Sequence, residues 1–202
     1  MSDHYYSPKP SAEHDVRQIS ETIRDIRLTF HTDAGVFSKG GIDFGSRVLI
    51  ESLEIPDRAR LLDVGCGYGP IGLFAAKLAA DVQVTMVDVN ERALELAKRN
   101  AKVNGIDNVE VLQSDRFSAL DNRMFEMIVT NPPIRAGKEV VHSIFDESER
   151  HLVPGGTLWI VIQKKQGAPS ALEKLKSIFS EVEEVAKRKG YRIYKATKSL
   201  ES

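Results

Sequence analysis

Hydrophobic residues after position 60 follow two alternating spacings. Short runs of consecutive apolar residues, many of them β-branched, predict buried strands at residues 60–64, 82–88, 109–113, 127–131 and 157–163. Segments with apolar residues three or four positions apart predict helices at residues 70–80, 91–103, 139–151 and 168–179. This alternation predicts an α/β fold, a Rossmann-like, doubly wound and mostly parallel sheet with helices on both faces.

The last two predicted strands are connected differently from the others. They span residues 182–188 and 191–197, and only Lys189 and Gly190 separate them. Parallel neighbours need a connection of about a dozen residues or more, so this gap permits only a C-terminal antiparallel hairpin.

Residues 1–55 follow another pattern. Residues 23–31 resemble a strand, and residues 35–45 carry four glycines around two phenylalanines, one of them Phe37. Aromatic residues in a glycine-rich segment favour a flap over a ligand, and the alternative is a plain surface connection. We expect one domain overall, in which this N-terminal extension and flap packs on the domain formed by residues 56–202.

Composition limits the class of protein. Of the 202 residues 42% are hydrophobic and 28% are charged, as in ordinary globular domains. The longest apolar run has five residues (158–162), far below the roughly 20 that span a bilayer, and the first residues lack the regions of a signal peptide. We therefore expect a cytoplasmic protein. Cys66 is the single cysteine and the histidines lack metal-binding spacing, so we expect neither a disulfide framework nor a metal site.

Charge is distributed unevenly along the chain. The net charge is −1, but residues 160–202 carry ten Lys or Arg against five acids and are net positive by five. This excess indicates either a solvated lysine-rich surface or an edge that faces phosphate groups.

The sharpest motif is DVGCGYGPIG at residues 63–72, which places an acid and alternating glycines between a strand and a helix. Glycines let a ligand approach the backbone and a helix N-terminus offers N–H donors, so the motif predicts a nucleotide-binding turn. Gly67, Gly69 and Gly72 also spell GxGxxG, and Asp88 stands 21 residues after Gly67. A dinucleotide site is therefore the alternative at this point.

Three acids favour a cationic cofactor over a dinucleotide. Asp63 lies beside the loop, where a carboxylate repels a pyrophosphate but suits the ammonium and sulfonium groups of S-adenosylmethionine. Asp88 closes the next predicted strand and Asp115 follows the strand after that. In an open parallel sheet the three strand ends lie along one carboxyl edge, where ligands bind.

The segment NPP at residues 131–133 ends the fourth predicted strand. Two prolines fix the backbone there, and we expect them to leave carbonyl groups without local partners.

Taken together, these segments closely resemble the class I S-adenosylmethionine-dependent methyltransferases. Within that class the chain is similar to the small-subunit (16S) ribosomal RNA guanine-N2 methyltransferases, the RsmC type, reduced to one catalytic unit. The resemblance covers roughly residues 20–198. It rests on Asp88 and on the segments GVFSKG (35–40), DFG (43–45), DVGCGYG (63–69), NPPIRAGK (131–138) and KKQGA (164–168).

The resemblance implies that S-adenosylmethionine is the cofactor and that residues 56–202 are the catalytic domain. Asp63 and the backbone of residues 65–67 would hold the methionine part, Asp88 the ribose hydroxyls and Asp115 the adenine amino group. The expected cofactor-binding set is Asp63, Gly65, Cys66, Gly67, Gly69, Asp88, Asp115 and Phe37. Cys66 is expected to be a small side chain behind the loop, because the fourth strand lacks the Pro-Cys dipeptide of cysteine-dependent methyltransferases.

In the family the resemblance points to, Asn131 and the Pro132 carbonyl accept hydrogen bonds from a planar exocyclic amine and orient its lone pair. Such catalysis by orientation requires no strong base. The expected catalytic residues are Asn131, Pro132 and Pro133. Ile134 departs from the pattern, because many amino-methyltransferases have an aromatic residue there to stack on the target base, and Phe37 is the expected substitute. The expected substrate-binding residues are Ile134, Arg135, Lys138, Lys164 and Lys165.

The predicted reaction is methyl transfer to guanine N2 of ribosomal RNA, with ribosomal RNA or the small ribosomal subunit as partner, and with a monomer or a homodimer both open. One alternative keeps the chemistry but methylates the N5 amide nitrogen of a protein glutamine. A nicotinamide-dependent oxidoreductase is disfavoured by Asp63, whose carboxylate would repel a pyrophosphate. A non-catalytic binding module is disfavoured because the expected cofactor and amine sites are complete.

Overall fold

The computed structural model describes residues 16–33 and 41–201. The strands of this part are β1 (Arg17–Ile23), β2 (Ile26–Thr32), β3 (Arg60–Val64), β4 (Gln83–Asp88), β5 (Val109–Gln113), β6 (Phe125–Thr130), β7 (Leu152–Gln163), β8 (Glu181–Arg188) and β9 (Tyr191–Thr197). Its α-helices are α1 (Phe44–Ser52), α2 (Pro70–Leu78), α3 (Glu91–Val103), α4 (Lys138–His151) and α5 (Ala168–Ile178). No helix within these residues combines the length and the apolar character needed to cross a membrane.

A seven-stranded sheet dominates the described part of the chain, with strand order β5-β4-β3-β6-β7-β9-β8. The strands from β5 to β7 are parallel, and β9 and β8 form the predicted antiparallel hairpin. Lys189 and Gly190 both have positive φ, as a two-residue turn between twisted strands requires. The predicted fold class is confirmed. The chain runs outward from β3 to β5 and then returns to the other side of β3, so the topological switch point lies between β3 and β6.

Alternate residues of the central strands face opposite sides of the sheet. Leu61 and Met86 belong to the apolar core under α1, α2 and α3, whereas Leu62 and Val87 belong to the core under α4 and α5. Because both faces are covered, nearly every residue of β3, β4 and β6 is buried, which explains their continuous apolar runs. Each fully buried aliphatic side chain contributes roughly 1.5–3 kcal/mol to folding.

The strand predicted at residues 23–31 is confirmed over residues 26–31, which lie in β2, but its start is wrong. The chain forms an antiparallel hairpin of β1 and β2, because Arg24 and Asp25 adopt positive φ (54° and 64°) and reverse its direction. Two asparagines, Asn100 in α3 and Asn104 at its C-cap, bind the hairpin. The Asn104 amide exchanges hydrogen bonds with the Thr29 backbone at 2.8 and 2.9 Å. The Asn100 amide pairs with the backbone of His31 in the same way. Side-chain amides thus replace a neighbouring strand along β2.

The glycine-rich segment predicted as a flap becomes helical at its end. Phe44 begins α1, and Asp43 caps the helix by accepting a hydrogen bond from the Ser46 N–H at 3.0 Å. At the other end of α1, the Arg24 guanidinium donates to the Leu53 carbonyl at 2.7 Å. Phe37, the expected stacking residue, lies outside the described residues.

Candidate active site

Strand register brings the predicted site residues together at the switch point. Val64 of β3 pairs with Val87 of β4 on one side and with Thr130 of β6 on the other. Neighbouring strands lie about 4.8 Å apart, so the residues that follow these three positions stand side by side at the carboxyl edge. The glycine loop after β3 is therefore flanked by Asp88 and by Asn131.

The glycine loop is held close to β4 by its own backbone. The Val87 carbonyl accepts hydrogen bonds from the N–H groups of Gly65 and Cys66, both at 2.9 Å. Gly65 has a φ of 72°, and a Cβ added there would meet no atom within 4 Å. Space therefore remains over Gly65 in which a ligand can lie against the main chain.

Asp63 is buried beneath this loop. Its Oδ2 accepts a hydrogen bond from the Gly72 N–H at 2.9 Å, whereas its Oδ1 is buried and has no hydrogen-bond partner within the described residues. Burial, and to a lesser extent the charge of Asp88, raises the pKa of Asp63 to about 7 against the lowering effect of the Gly72 bond. An ammonium group would supply the missing donor and stabilise the ionised carboxylate. The site therefore fits the amino-acid part of S-adenosylmethionine.

Asp88 and Asp115 lie on the strands beyond. Asp88 is 3% exposed, and its two carboxylate oxygens accept hydrogen bonds from the N–H groups of Gly67 and Asn90, both at 2.9 Å. Each oxygen has a second lone pair with which it can accept from a hydroxyl. Asp115 is exposed in the loop after β5, and the Arg116 guanidinium lies 3.7 Å from its Oδ1. Both acids therefore stand along the carboxyl edge, as the sequence predicts.

Asn131 contacts residues that the sequence analysis did not identify as part of the site. Its Nδ2 donates to the Ser46 Oγ at 3.1 Å and lies 3.4 Å from both carboxylate oxygens of Asp43. Ser46 belongs to the first turn of α1 and Asp43 is the N-cap of that helix, and both lie more than 80 residues earlier in the chain. The available signal was local, because an aspartate before an apolar helical pattern marks a helix start.

The prediction that the two prolines leave their carbonyls without local partners is wrong. The Pro132 carbonyl accepts from the Ile134 N–H and the Pro133 carbonyl accepts from the Ala136 N–H, both at 2.9 Å. Pro133 has φ −77° and ψ 80°, an inverse γ-turn, because the fixed φ directs the chain into one turn of 3-10 helix at Ile134–Ala136. Each carbonyl oxygen retains a second lone pair.

The residues predicted to bind substrate lie around this segment. Ile134 is partly buried against the core under α4, whereas Arg135 and Lys138 are exposed. Lys164 and Lys165 are exposed after β7, and the Lys164 N–H donates to the Gly190 carbonyl at 2.8 Å. The turn of the C-terminal hairpin therefore lies beside the two lysines, and the structure brings basic residues from separate segments onto one side.

Two other cations of that hairpin lie against an aromatic ring. Arg188 lies 5.3 Å from the centroid of the Phe44 ring and also pairs with Glu51, while Lys189 lies 4.9 Å from the same centroid. Phe44 and Tyr191 pack against each other with their ring centroids 5.6 Å apart. The hairpin turn and the start of α1 thus form one surface next to Asn131.

Cys66 is buried within the glycine loop. Its thiol donates to the Gly67 carbonyl at 3.4 Å, and burial raises its pKa well above the ordinary value. A protonated, buried thiol is a poor nucleophile, in keeping with a side chain that fills space. Within residues 16–33 and 41–201, no three His, Cys, Asp or Glu side chains lie close enough together to hold a metal ion.

Folds and sites of this kind belong to S-adenosylmethionine-dependent methyltransferases, and this chain is one of them. More narrowly, it belongs to the family of the methyltransferase small domain, whose family model matches residues 27–195. The predictions of the enzyme class and of S-adenosylmethionine as cofactor are confirmed. Membership of this family argues against the alternative of a nicotinamide-dependent oxidoreductase.

Relatives narrow the comparison further. The chain is 57% identical to the uncharacterized protein YbxB of Bacillus subtilis strain 168, over 98% of this chain and all of that protein. It is 34% identical to the ribosomal RNA small subunit methyltransferase C of Cronobacter sakazakii and 33% identical to that of Escherichia coli, over 84% of this chain in each case. The match covers 49% of each of those two proteins, so the chain spans about half their length.

Solved structures agree with this placement. The Thermus thermophilus 16S rRNA N2 G1207 methyltransferase (RsmC), in complex with AdoMet and guanosine, superposes with a TM-score of 0.81 at 28% identity over 91% of this chain and 50% of that one. A methyltransferase from Pyrococcus furiosus, at 23% identity and a TM-score of 0.65 over 76% of this chain and 82% of that one, shares the fold. The predicted resemblance to the RsmC type is confirmed.

Proposed function

We propose that this enzyme transfers a methyl group from S-adenosylmethionine to guanine N2 of small-subunit ribosomal RNA. The observation that carries the proposal is the Asn131 side chain, which stands beside the glycine loop with its NH₂ group facing Asp43 and Ser46. Its Oδ1 receives no hydrogen bond from the described residues and is available to accept one from a target amine. Relatives named as ribosomal RNA small subunit methyltransferases support the choice of target.

The acids of the carboxyl edge would bind the cofactor. Asp63 Oδ1 would accept a hydrogen bond from the ammonium group of S-adenosylmethionine. Asp88 would accept hydrogen bonds from the ribose hydroxyls, and Asp115 would accept one from the adenine amino group. The open space over Gly65 receives the methionine part, with the backbone of residues 65–67 on one side. When bound, S-adenosylmethionine supplies a methyl group bonded to a sulfonium. Burial and the charge of Asp88 both raise the pKa of Asp63, and a cationic group beside its carboxylate would offset both effects, which supports the choice of a cationic ligand.

Asn131 and Pro132 would orient the target nitrogen. The lone pair of guanine N2 is delocalised into the ring, so the nitrogen reacts only when that lone pair faces the methyl group. Asn131 Oδ1 and the second lone pair of the Pro132 carbonyl accept its two N–H groups and hold this geometry. The nitrogen lone pair then forms the N–C bond, the C–S electrons return to sulfur, and the surplus proton leaves to water. Complete alignment can contribute about 7–11 kcal/mol.

Basic residues on the same side support an RNA target. Lys164, Lys165 and Lys187 are exposed around the C-terminal hairpin, within a segment that is net positive by five. Cations in that position suit a phosphate backbone and have no evident purpose for a glutamine side chain. A location in the cytoplasm and a monomeric or homodimeric state stay predictions.

Reconstitution tests the function directly. Small-subunit RNA from a strain that lacks this protein is incubated with the purified enzyme and labelled S-adenosylmethionine, both as naked RNA and as assembled subunit. We expect one N2-methylguanosine by mass-spectrometric mapping, at a position that is unmethylated in the deletion strain. The Asn131→Ala variant is the matched control and should leave that guanine unmodified. Label that enters a ribosomal protein glutamine and no nucleotide would overturn the RNA target in favour of the glutamine alternative.

A further inference from the structure

An asparagine can serve as an oriented acceptor only if its amide is prevented from turning over. The oxygen and the NH₂ group of Asn131 are nearly equal in size, and a rotation of 180° about the last side-chain bond exchanges them. With the NH₂ group toward the target, donor would face donor and the amine could not be held. Orientation by Asn131 therefore requires groups that distinguish the two ends of the amide.

Asp43 and Ser46 are such groups. The Asp43 carboxylate can only accept hydrogen bonds, and each of its two oxygens lies 3.4 Å from the Asn131 Nδ2. The Ser46 hydroxyl hydrogen is used in a bond to Asp43 Oδ2 at 2.8 Å, so its oxygen can only accept from Asn131, which it does at 3.1 Å. Asn131 therefore faces two acceptors and no donor. A flipped amide would bring its oxygen against a carboxylate.

The position of Asp43 is itself fixed. Its Oδ1 caps α1 by accepting from the Ser46 N–H at 3.0 Å, and α1 buries Val48, Leu49 and Ile50 against the core. The helix packs on β7 and β9, and β7 pairs with β6, the strand that ends immediately before Asn131. The carboxylate is thus held in place by the helix end rather than by Asn131, so it can act as a fixed reference for the amide.

We propose that Asp43 and Ser46 are positioning residues, which hold the Asn131 amide with its oxygen toward the target amine. The inference rests on the proposed function, because it assigns the acceptor role to Asn131 Oδ1. It predicts that the donor and acceptor pattern at residues 43 and 131 matters for turnover, beyond the capping of α1.

Exchanging the two side chains tests this pattern. In Asp43→Asn the cap survives, since Asn and Asp are about equally good N-caps, but an NH₂ group now faces Asn131 and favours the flipped amide. We expect kcat to fall at least about tenfold, with KM for S-adenosylmethionine and the melting temperature little changed. Asn131→Asp should also be impaired, because two carboxylates then face each other. The double variant places a donor at 43 and acceptors at 131, and should recover at least about tenfold in kcat over either single variant.

Control variants separate this role from structural ones. Asp57→Asn makes the same change at an exposed aspartate before β3, where Oδ1 accepts from the Ala80 N–H at 3.2 Å, and should leave kcat unchanged. Ser46→Ala removes one acceptor for Asn131 and should lower kcat about three- to tenfold at constant KM for the cofactor. It serves as the deciding variant if Asp43→Asn does not fold.

The outcomes are distinguishable. If Asp43→Asn, or Ser46→Ala where the former does not fold, turns over like wild type while Asn131→Ala is inactive, the inference is wrong and the proposed function stands. If the double variant is no better than the single ones, Asp43 acts on the fold of α1 and the inference is also wrong. If Asn131→Ala itself turns over like wild type, the proposed function is wrong, and the inference that rests on it is wrong as well.

Discussion

The two halves of the site are built in different ways. In the half predicted to bind the cofactor, Asp63 and Asp88 take hydrogen bonds from backbone N–H groups at most 21 residues away. In the half predicted to bind the target, the Asn131 amide is held by side chains 85 and 88 residues earlier in the chain. One half is therefore assembled within a single strand-helix-strand unit, whereas the other depends on how α1 packs against the sheet.

The halves also differ in how their polar groups are paired. Asp63 is buried, one of its oxygens has no hydrogen-bond partner in the part of the chain that the structure describes, and burial opposes its ionisation. Asn131, in contrast, already has partners for its NH₂ group and presents only an acceptor. The cofactor half should therefore bind more tightly as the pH rises, whereas the target half should act through geometry. Variants in the two halves should separate binding from turnover.

The largest expected effect is in the target half. Asn131→Ala removes the acceptor and leaves the glycine loop and the three acids untouched. We expect kcat to fall about 100-fold or more, which corresponds to about 2.7 kcal/mol of transition-state stabilisation. Calorimetry should give a wild-type affinity for S-adenosylmethionine. A matching loss of affinity would show that the two halves are not separable at this residue.

The cofactor half should respond in the opposite way. Asp88→Ala removes two charge-assisted hydrogen bonds, each worth about 1.5–3 kcal/mol before compensation by water, so affinity for S-adenosylmethionine should fall at least about tenfold. At saturating cofactor, kcat should stay within a few-fold of wild type. Asp88→Asn retains one acceptor, so its affinity for S-adenosylmethionine should lie between those of wild type and Asp88→Ala. Unchanged calorimetric affinity in Asp88→Ala would remove this residue from the cofactor site.

The pH dependence of binding should identify Asp63. Its folded pKa is raised to about 7, so the protonated form is favoured in the folded chain. The stability that this group contributes is present at low pH and is lost as the pH rises toward 7. Ammonium binding needs the ionised form, so affinity should rise about tenfold per pH unit below 7 and level off above. In Asp63→Asn this rise should disappear. Calorimetry from pH 5.5 to 8 measures the affinity for S-adenosylmethionine in wild type and in this variant.

The smallest effect is expected at the basic surface. Lys164, Lys165 and Lys187 changed together to Gln should weaken RNA binding and reduce the slope of log K against log salt by about 0.7 for each lost phosphate contact. Cofactor affinity should not change. The matched control replaces Lys98, Arg99 and Lys102 on α3, which are also exposed. Equal salt slopes for the two triple variants would return the first set to the role of a solvated surface.

The sequence predicted the cofactor half more fully than the target half. Strands β3, β4 and β5 and helix α3 could be predicted within about a residue, because their apolar periodicity and their start and stop residues are local. The same holds for the hairpin of β8 and β9, where a two-residue gap allows one connection. The β1–β2 turn was missed because its two residues with positive φ, Arg24 and Asp25, are not glycines, and glycine is the usual sequence signal for such a turn.

Other errors have equally specific causes. The start of β7 at Leu152 was predicted at residue 157, because Pro154, Gly155 and Gly156 resemble a loop although β7 continues through them. The helix α1 was missed because four glycines outweighed the cap at Asp43. The prolines of residues 132 and 133 were expected to free their carbonyls, but the fixed φ of proline also favours a tight turn that satisfies them.

The sequence by itself therefore determined the order of strands and helices after residue 60, the glycine loop and the placement of the three acids at strand ends. These follow from backbone preferences and from periods that a single segment contains. Only the tertiary structure decided which way the Asn131 amide faces, because its partners Asp43 and Ser46 reach it through the packing of α1 on the sheet. It also decided the ionisation of Asp63, because the pKa of a carboxyl group depends on its burial and on the charge of Asp88 on the neighbouring strand.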